Sequence, residues 1–402
     1  MTASFRPLTA EDLEQAAYVE SVAFYNEPTA ERMEFLKILP PDWTVGAFVG
    51  GRLVAVVRTT PMARRINGHG IRYGTVGPVA CLAEHRRKGY VGKLLRMTLE
   101  RTREQGMPLV GLYTPHDALY RRYGWERAEG KKRYVFRAKE VTLRFSGAPG
   151  RMEAVPVDEW HRLDEVYRRY AAPRNGALHR PELWWRNAVY RDIDTNRDRQ
   201  AFLWSNERGE PEGFIVYLHR NVEQPGSAET ELAVYDLVAL SSDAYLDLWQ
   251  HLLTHDLATR IYVNAPLGDP FPDLVSDPWQ VEVQRAEGAM VRVLDVEHAF
   301  AMRSYCGDGV AALTLRVIDG RAEWNDGVWR IETDGERMNA ERTDAPPDIE
   351  VSVNFLAPLF TGFVRPETAA ATGMMRVLRE GAVQQADQIF AVTDASYSAD
   401  FY

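Results

Sequence analysis

Cysteine is nearly absent. Cys81 and Cys306 are the only two in 402 residues, too few and too far apart for a disulfide framework or a cysteine-rich metal site. Positive charge is not in excess either. Against 57 Asp and Glu stand 48 Lys and Arg, a formal net charge of -9, which argues against a general nucleic-acid binder and mildly favours a cationic substrate. No apolar run reaches membrane-spanning length. The opening MTASFRPLTAEDLEQAAYVE lacks the basic-then-apolar pattern of a secretion signal. A soluble cytoplasmic protein is therefore expected, although leaderless export would leave no mark. There is neither low complexity nor a short-period repeat. What remains is ordinary globular composition, 45% hydrophobic and 26% charged, over a length that suits two or three domains with real cores.

The most informative stretch is VGPVACLAEHRRKGYVGKLLRMTL, residues 76–99. It reads as a short apolar strand, a polar turn and a helix. Val91, Leu94, Leu95 and Leu99 recur at helical spacing, so one face is apolar. Arg86, Arg87 and Lys88 precede Gly89 at the start of that helix. Cations are disfavoured there, because a helix amino end carries partial positive charge and unpaired N–H groups. A bound anion reverses the balance, and Gly89 leaves room for close approach. A phosphate-bearing ligand is the simplest candidate; a solvated basic turn is the plain alternative. Upstream, Gly77-Pro78 interrupts the strand Tyr73 to Leu82. Proline donates no ladder bond, so the strand is expected to lie at an edge or to bend, leaving N–H groups for a ligand. Cys81 reads as a buried apolar-strand residue more readily than as a nucleophile.

Around this stretch the chain reads in order. Thr9 caps a helix with Glu11 and Asp12 in its first turn, and Leu13, Ala16, Ala17 and Val22 give it an apolar face. A second helical stretch ends at Pro40-Pro41. Trp43 to Val49, Gly50-Gly51 and Leu53 to Arg58 predict a hairpin. After the key helix, ended by Gly106 to Pro108, Leu109 to Tyr113 predicts a strand. Gly147 to Gly150 marks a boundary. Beyond it Glu231 to Leu240 and Tyr245 to Leu253 predict a strand and a helix without a cationic turn, and Leu183-Trp184-Trp185 reads as core or interface. From about Val291 the character changes again. Asp295 to Met302 predicts a helix, Gly307 to Ile331 short strands with turns at Asp319-Gly320 and Asn325 to Gly327, and Glu350 to Val353 a strand followed by helices near Leu356 and Met374. These patterns alone support an α/β or α+β protein.

Arg86-Arg87-Lys88-Gly89-Tyr90-Val91-Gly92 resembles the acyl-coenzyme A loop of the GNAT N-acetyltransferases, Q/R-x-x-G-x-G/A, departing at Val91 with Gly92 one place late. Leu119-Tyr120-Arg121-Arg122-Tyr123-Gly124-Trp125 resembles the L-Y-x-x-x-G-F/Y/W helix of the same superfamily. Length, order and both motifs together resemble one branch, the enhanced intracellular survival (Eis) acetyltransferases. That resemblance implies an α+β (α/β mixed) fold with a GNAT domain at 1–150, a degenerate GNAT-like domain at 151–287 and a sterol-carrier-protein-like domain at 288–402. It implies acetyl-CoA as co-substrate and no metal. Val79, Ala80 and Cys81 would meet the pantetheine arm and thioester. Arg87, Lys88, Gly89, Tyr90, Val91 and Gly92 would hold the pyrophosphate, and Pro115 and His116 would touch the coenzyme. Tyr120 would be the general acid, a phenol of ordinary pKa near 10 being protonated at pH 7, or else a packed helix aromatic. The family's general base is the terminal carboxylate, here on Tyr402. Phe401 departs from relatives with an acid at that place, and Glu27 is one acid that would line an amine pocket. The family assembles as homohexamers.

The function expected is acetyl transfer to primary amines of small cationic substrates such as aminoglycosides or polyamines, or of lysine side chains, without nucleic acid or a membrane span. Two other readings stand beside it: an acetyltransferase for one dedicated metabolite, and a lipid-binding or scaffold protein with a relic GNAT domain.

Overall fold

The computed structural model describes residues 2–25, 36–37, 39–192, 197–224 and 227–402. Glu27 and most of the helical stretch expected ahead of Pro40 lie outside the described residues.

The first sheet begins with β1 (Ala3–Pro7), β2 (Thr44–Val49), β3 (Arg52–Ile66), β4 (His69–Cys81) and β5 (Leu109–Leu112). β2 and β3 form the predicted hairpin. Gly50 and Gly51 both take positive φ, 60° and 82°, the pair of left-handed conformations that a two-residue hairpin turn demands. Thr9 begins its helix as expected, its backbone N–H and hydroxyl both donating to Asp12 Oδ2. The buried face of Leu13–Ala23 is carried by Ala16, Ala17, Val19 and Glu20, whereas Val22 is turned outward. The helix Tyr90–Glu104 buries Leu94, Leu95 and Leu99 in one core with β2 and β3 residues.

Strand membership does not follow chain order. The first sheet runs β1-β2-β3-β4-β5 and is completed by Met290–Val293 and Glu126–Arg127. Gly130–Phe136, although early in the chain, lies in a second seven-stranded sheet between Glu282–Glu287 and Arg260–Pro266. That sheet continues through Ser227–Ala239, Pro211–Gln224, Gln200–Ser205 and Arg151–Ala154. A five-stranded third sheet is built from Ala311–Ile318, Gly327–Thr333, Met338–Arg342, Ile349–Ser352 and Met375–Val377. Its core is continuous with that of the first domain: Tyr73, Leu109, Val291 and Val293 share one cluster with Phe300, Leu315 and Phe360. The expected helix near Met374 is instead a bend into the strand Met375–Val377, the helix being Pro366–Ala371. Thr372 and Gly373, the latter at φ 76°, end it. The fold is mixed α/β, as anticipated. Among the described residues no helix is long and apolar enough to cross a membrane.

Candidate active site

β4 is paired on both edges only at its middle. Its parallel pairing with β5 covers Tyr73 to Thr75 and stops, while its antiparallel pairing with β3 continues to Cys81. Between Val76 and Val79 the β3–β4 register shifts, so Gly77-Pro78 sits in a bulge, the bend the proline implied. Past the bulge one edge of β4 is open. Leu82 N–H donates to Val54 O at 2.9 Å. Backbone direction alternates along an antiparallel ladder, so Ala80 faces β3, while Val79 and Cys81 turn their N–H groups to the open edge. Of the three residues expected to offer N–H groups, Val79 and Cys81 have theirs on the open edge and Ala80 has its N–H toward β3. Cys81 is buried with its thiol against Leu82 O, and burial raises its pKa, a poor setting for a nucleophile.

The turn after β4 has the geometry of an anion cradle. Arg87 takes φ 61° and Gly89 φ 80°, an arrangement in which successive N–H groups converge. Arg86, Arg87, Lys88 and Gly89 are exposed, and Arg86 Nε is tied to Cys81 O at 3.2 Å. The helix Tyr90–Glu104 has no side-chain cap, and its first internal bond runs from Lys93 N–H to Gly89 O. The N–H groups of Tyr90, Val91 and Gly92 thus point out of the helix end. A Cβ on Gly89 would meet nothing within 4 Å, so a ligand has free approach. Gly92 has a different reason to be glycine: a Cβ there would lie 2.3 Å from Tyr123 Oη, so it makes room for that ring. The donors and cations present fit a pyrophosphate.

Tyr120 lies on the short helix Asp117–Arg121, in the same core as Ala80, Cys81 and Leu112. Its ring meets Trp125 edge-on at 6.1 Å between centroids. Its hydroxyl makes no hydrogen bond among the described residues, and burial pushes it up to about 12. It is held protonated and is free to donate. Pro115 and His116 are exposed at the start of this helix, with His116 N–H donating to Thr114 Oγ1 at 2.9 Å.

Tyr402 comes back to β4. A Cβ on Gly77 would stand 3.8 Å from the Tyr402 carboxyl carbon and 3.9 Å from its oxygen. The Tyr402 and Tyr73 hydroxyls share a hydrogen bond of 2.5 Å. Tyr113 lies against both Phe401 and Tyr402, at 4.7 and 4.9 Å between centroids, and donates to Glu129 Oε1 at 3.0 Å. Glu129 is paired with the fully buried Arg64, whose Nη2 reaches Glu129 Oε2 at 2.6 Å and Ser396 Oγ at 2.8 Å, and with Lys131, whose Nζ lies 3.6 Å from Glu129 Oε1 and donates to Tyr113 Oη at 2.9 Å. The carboxylate of Tyr402 has neither an ion pair nor a hydrogen bond among the described residues. Sequence reasoning missed Tyr73, Tyr113, Arg64 and Glu129. Only their contacts across the fold give them away; nothing in their local sequence does. Among the described residues no cluster of three or more His, Cys, Asp or Glu is arranged to hold a metal.

Comparison with known proteins fits this geometry. A family model described as an acetyltransferase (GNAT) domain matches residues 4–128, and a second with the same description matches 176–293. A sterol carrier protein domain model matches 296–398. An uncharacterised N-acetyltransferase of Streptomyces coelicolor is 28% identical over 372 residues, 90% of this chain and 89% of the relative. The N-acetyltransferase Eis of Mycobacterium tuberculosis is 25% identical over 324 residues, 78% of this chain and 76% of the relative. Among solved structures, Eis1 from Mycobacterium abscessus superposes with a TM-score of 0.82 at 25% identity, all of both chains being covered. A GCN5-related N-acetyltransferase from Anabaena variabilis reaches 0.88 at 20% identity over all of both chains, a likeness of fold. GNAT domains imply acetyl-CoA as the acyl donor, and the relatives are N-acetyltransferases. With tandem GNAT domains, a sterol-carrier-type third domain and homology to Eis, this chain is an acyltransferase of the GNAT N-acetyltransferase superfamily, with the Eis layout.

Proposed function

We propose that the chain transfers the acetyl group of acetyl-CoA to a primary amine of a cationic molecule, such as an aminoglycoside, a polyamine or a lysine side chain. The observation that carries this reading is the unpartnered Tyr402 carboxylate against Gly77, beside the open edge of β4. A terminal carboxylate is in general ionised at pH 7, and one with no ion-pair partner among the described residues attracts an ammonium group.

The residues divide the work as follows. The exposed cations Arg87 and Lys88, with the N–H groups from Gly89 onward, hold the pyrophosphate. Val79 and Cys81 N–H groups stabilise the charge that develops on the thioester oxygen. The Tyr402 carboxylate takes a proton from the substrate ammonium, directly or through water, and the freed nitrogen bonds to the acetyl carbon. Tyr120 gives its proton to sulfur as the carbon–sulfur bond breaks; the second proton lost by the nitrogen passes through water to the Tyr120 phenolate and restores it, while the proton held by Tyr402 returns to solvent. Its raised pKa lowers the drive for that step. The departing thiolate leaves into the same dry surroundings, which raise its own proton affinity.

The lipid-carrier reading gains no support from the third domain. The fully buried Arg303 runs through its core, donating to Phe360 O, Ile389 O and Ala391 O. A charged side chain so placed is unsuited to an apolar ligand. Purified protein, acetyl-CoA, a thiol-detecting reagent and a panel of amines test the proposal. Thiol release that depends on a cationic amine is expected; no release with any amine would refute it.

A further inference from the structure

The central domain repeats the architecture of the first without its basic loop. Ser227–Ala239 pairs in parallel with Arg260–Pro266 only from Glu231 to Val234, as β4 pairs with β5 only from Tyr73 to Thr75. The residue that follows, Tyr235, is skipped in the register with the neighbouring strand Pro211–Gln224, a bulge one residue ahead of the position corresponding to Gly77-Pro78 in β4. The next helix, Ser242–Leu253, is closed to anions. Ser241 Oγ caps Ala244 N–H, Asp243 stands in the first turn, and Ser241 also donates to Glu212. The opened strand pair is nevertheless occupied, by the end of this same chain.

Asp400, fully buried, receives Arg180 Nε at 2.9 and 3.2 Å, Trp184 Nε1 at 2.7 Å, Tyr235 Oη at 3.2 Å and Ser398 Oγ at 3.2 Å. Arg180 is fully buried as well, lies 3.8 Å over the Tyr167 ring and donates its Nη1 to Asp236 at 2.7 Å. Further back, Tyr397 N–H donates to Asn175 O at 3.0 Å and Asn175 Nδ2 to Asp394 O at 2.7 Å. A buried carboxylate with this many donors is fixed in place, since moving it strands charges on both sides. Two residues later stands the Tyr402 carboxylate. Two residues of extended chain span about 7 Å, so slack at Asp400 becomes displacement at Gly77.

We propose that the central domain has turned its opened strand pair into a receptor for the tail, and that Arg180, Trp184 and Tyr235 are positioning residues that set the Tyr402 carboxylate through Asp400. This rests on the carboxylate serving as base. The first domain binds the donor; the second aims the base.

The test uses the whole 402-residue chain and four variants: Asp400→Asn, Arg180→Lys, Tyr235→Phe and one lacking Tyr402. Two readings are taken, steady-state kinetics and the rate at which carboxypeptidase releases Tyr402 from the folded protein, with thermal melting to confirm folding. Asp400→Asn is expected to lower kcat at least tenfold with the KM for acetyl-CoA within twofold, to speed carboxypeptidase release about tenfold, and to regain part of its turnover with added formate. Tyr235→Phe, which removes one hydrogen bond, follows in the same direction to a smaller extent and keeps the test open if Asp400→Asn fails to fold. If loss of Tyr402 abolishes turnover while the folded tail variants keep wild-type kcat and release rate, the positioning role is overturned and the base stands. If loss of Tyr402 leaves turnover intact, the base reading falls, and the release rate alone decides whether the tail is clamped.

Discussion

The carboxyl carbon of Tyr402 lies 3.8 Å from where a Cβ on Gly77 would stand, so the last residue of the chain meets the bulge that opens β4. Residues 325 positions apart in sequence are thereby brought to one point, and the proposed chemistry is arranged around it.

Tyr120→Phe removes a hydroxyl that makes no hydrogen bond among the described residues, so stability is expected to change little. The loss of a general acid is worth about 10²- to 10⁴-fold in rate, and kcat is expected to fall within that range. Acetyl-CoA affinity, measured by calorimetry, is expected to stay the same. With its pKa at about 12, this phenol stays protonated across the working range, so it contributes no alkaline fall in rate below about pH 10. Full activity in the Phe variant would remove Tyr120 from the reaction.

Arg87→Ala together with Lys88→Ala tests the anion cradle. Both side chains are exposed, and surface substitutions of this kind usually shift stability by about 0.5 kcal/mol or less. Loss of two charge-assisted contacts, at about 1.5–3 kcal/mol each, predicts a weakening of acetyl-CoA binding of tenfold or more. The wild-type affinity is expected to fall with added salt and that of the variant to fall less steeply. Equal calorimetric affinities would show that the cations are merely solvated.

How much of this was readable from residues alone depends on range. The hairpin at Gly50-Gly51, the Thr9 cap and the strand–turn–helix of residues 76–99 announce themselves within a few positions, because turn conformation and apolar spacing are local. The bulge at Gly77-Pro78 was legible for the same reason. The insertion of Met290–Val293 into the first sheet was not, since pairing with a distant strand leaves no local signature. Neither was the Arg180–Asp400 pair, whose members are 220 residues apart. Gly92 was legible as a glycine but not for its reason, the Tyr123 ring. The bend at Met374 was missed because a three-residue strand is too short to show a period.

A pH dependence of stability arises away from the site. His251 Nε2 is 3.0 Å from Tyr217 Oη, and burial, with His255 adding repulsion, pushes it down to about 4. The folded protein leaves this ring neutral where the unfolded chain, with an ordinary histidine near 6.5, binds a proton. Stability is therefore full above about pH 6.5 and declines as pH falls toward 4. The melting temperature of His251→Gln is expected to decline less steeply over that window. Parallel curves for the two proteins would exclude His251 as the titrating group.

The most direct measurement is turnover of the chain with a single glycine added after Tyr402. The addition removes the Tyr402 carboxylate and carries the new terminus one residue, about 3.5 Å, beyond Gly77. A loss of kcat of at least a hundredfold is expected, with melting temperature and acetyl-CoA affinity unchanged. An extended protein that turns over at the wild-type rate would contradict it.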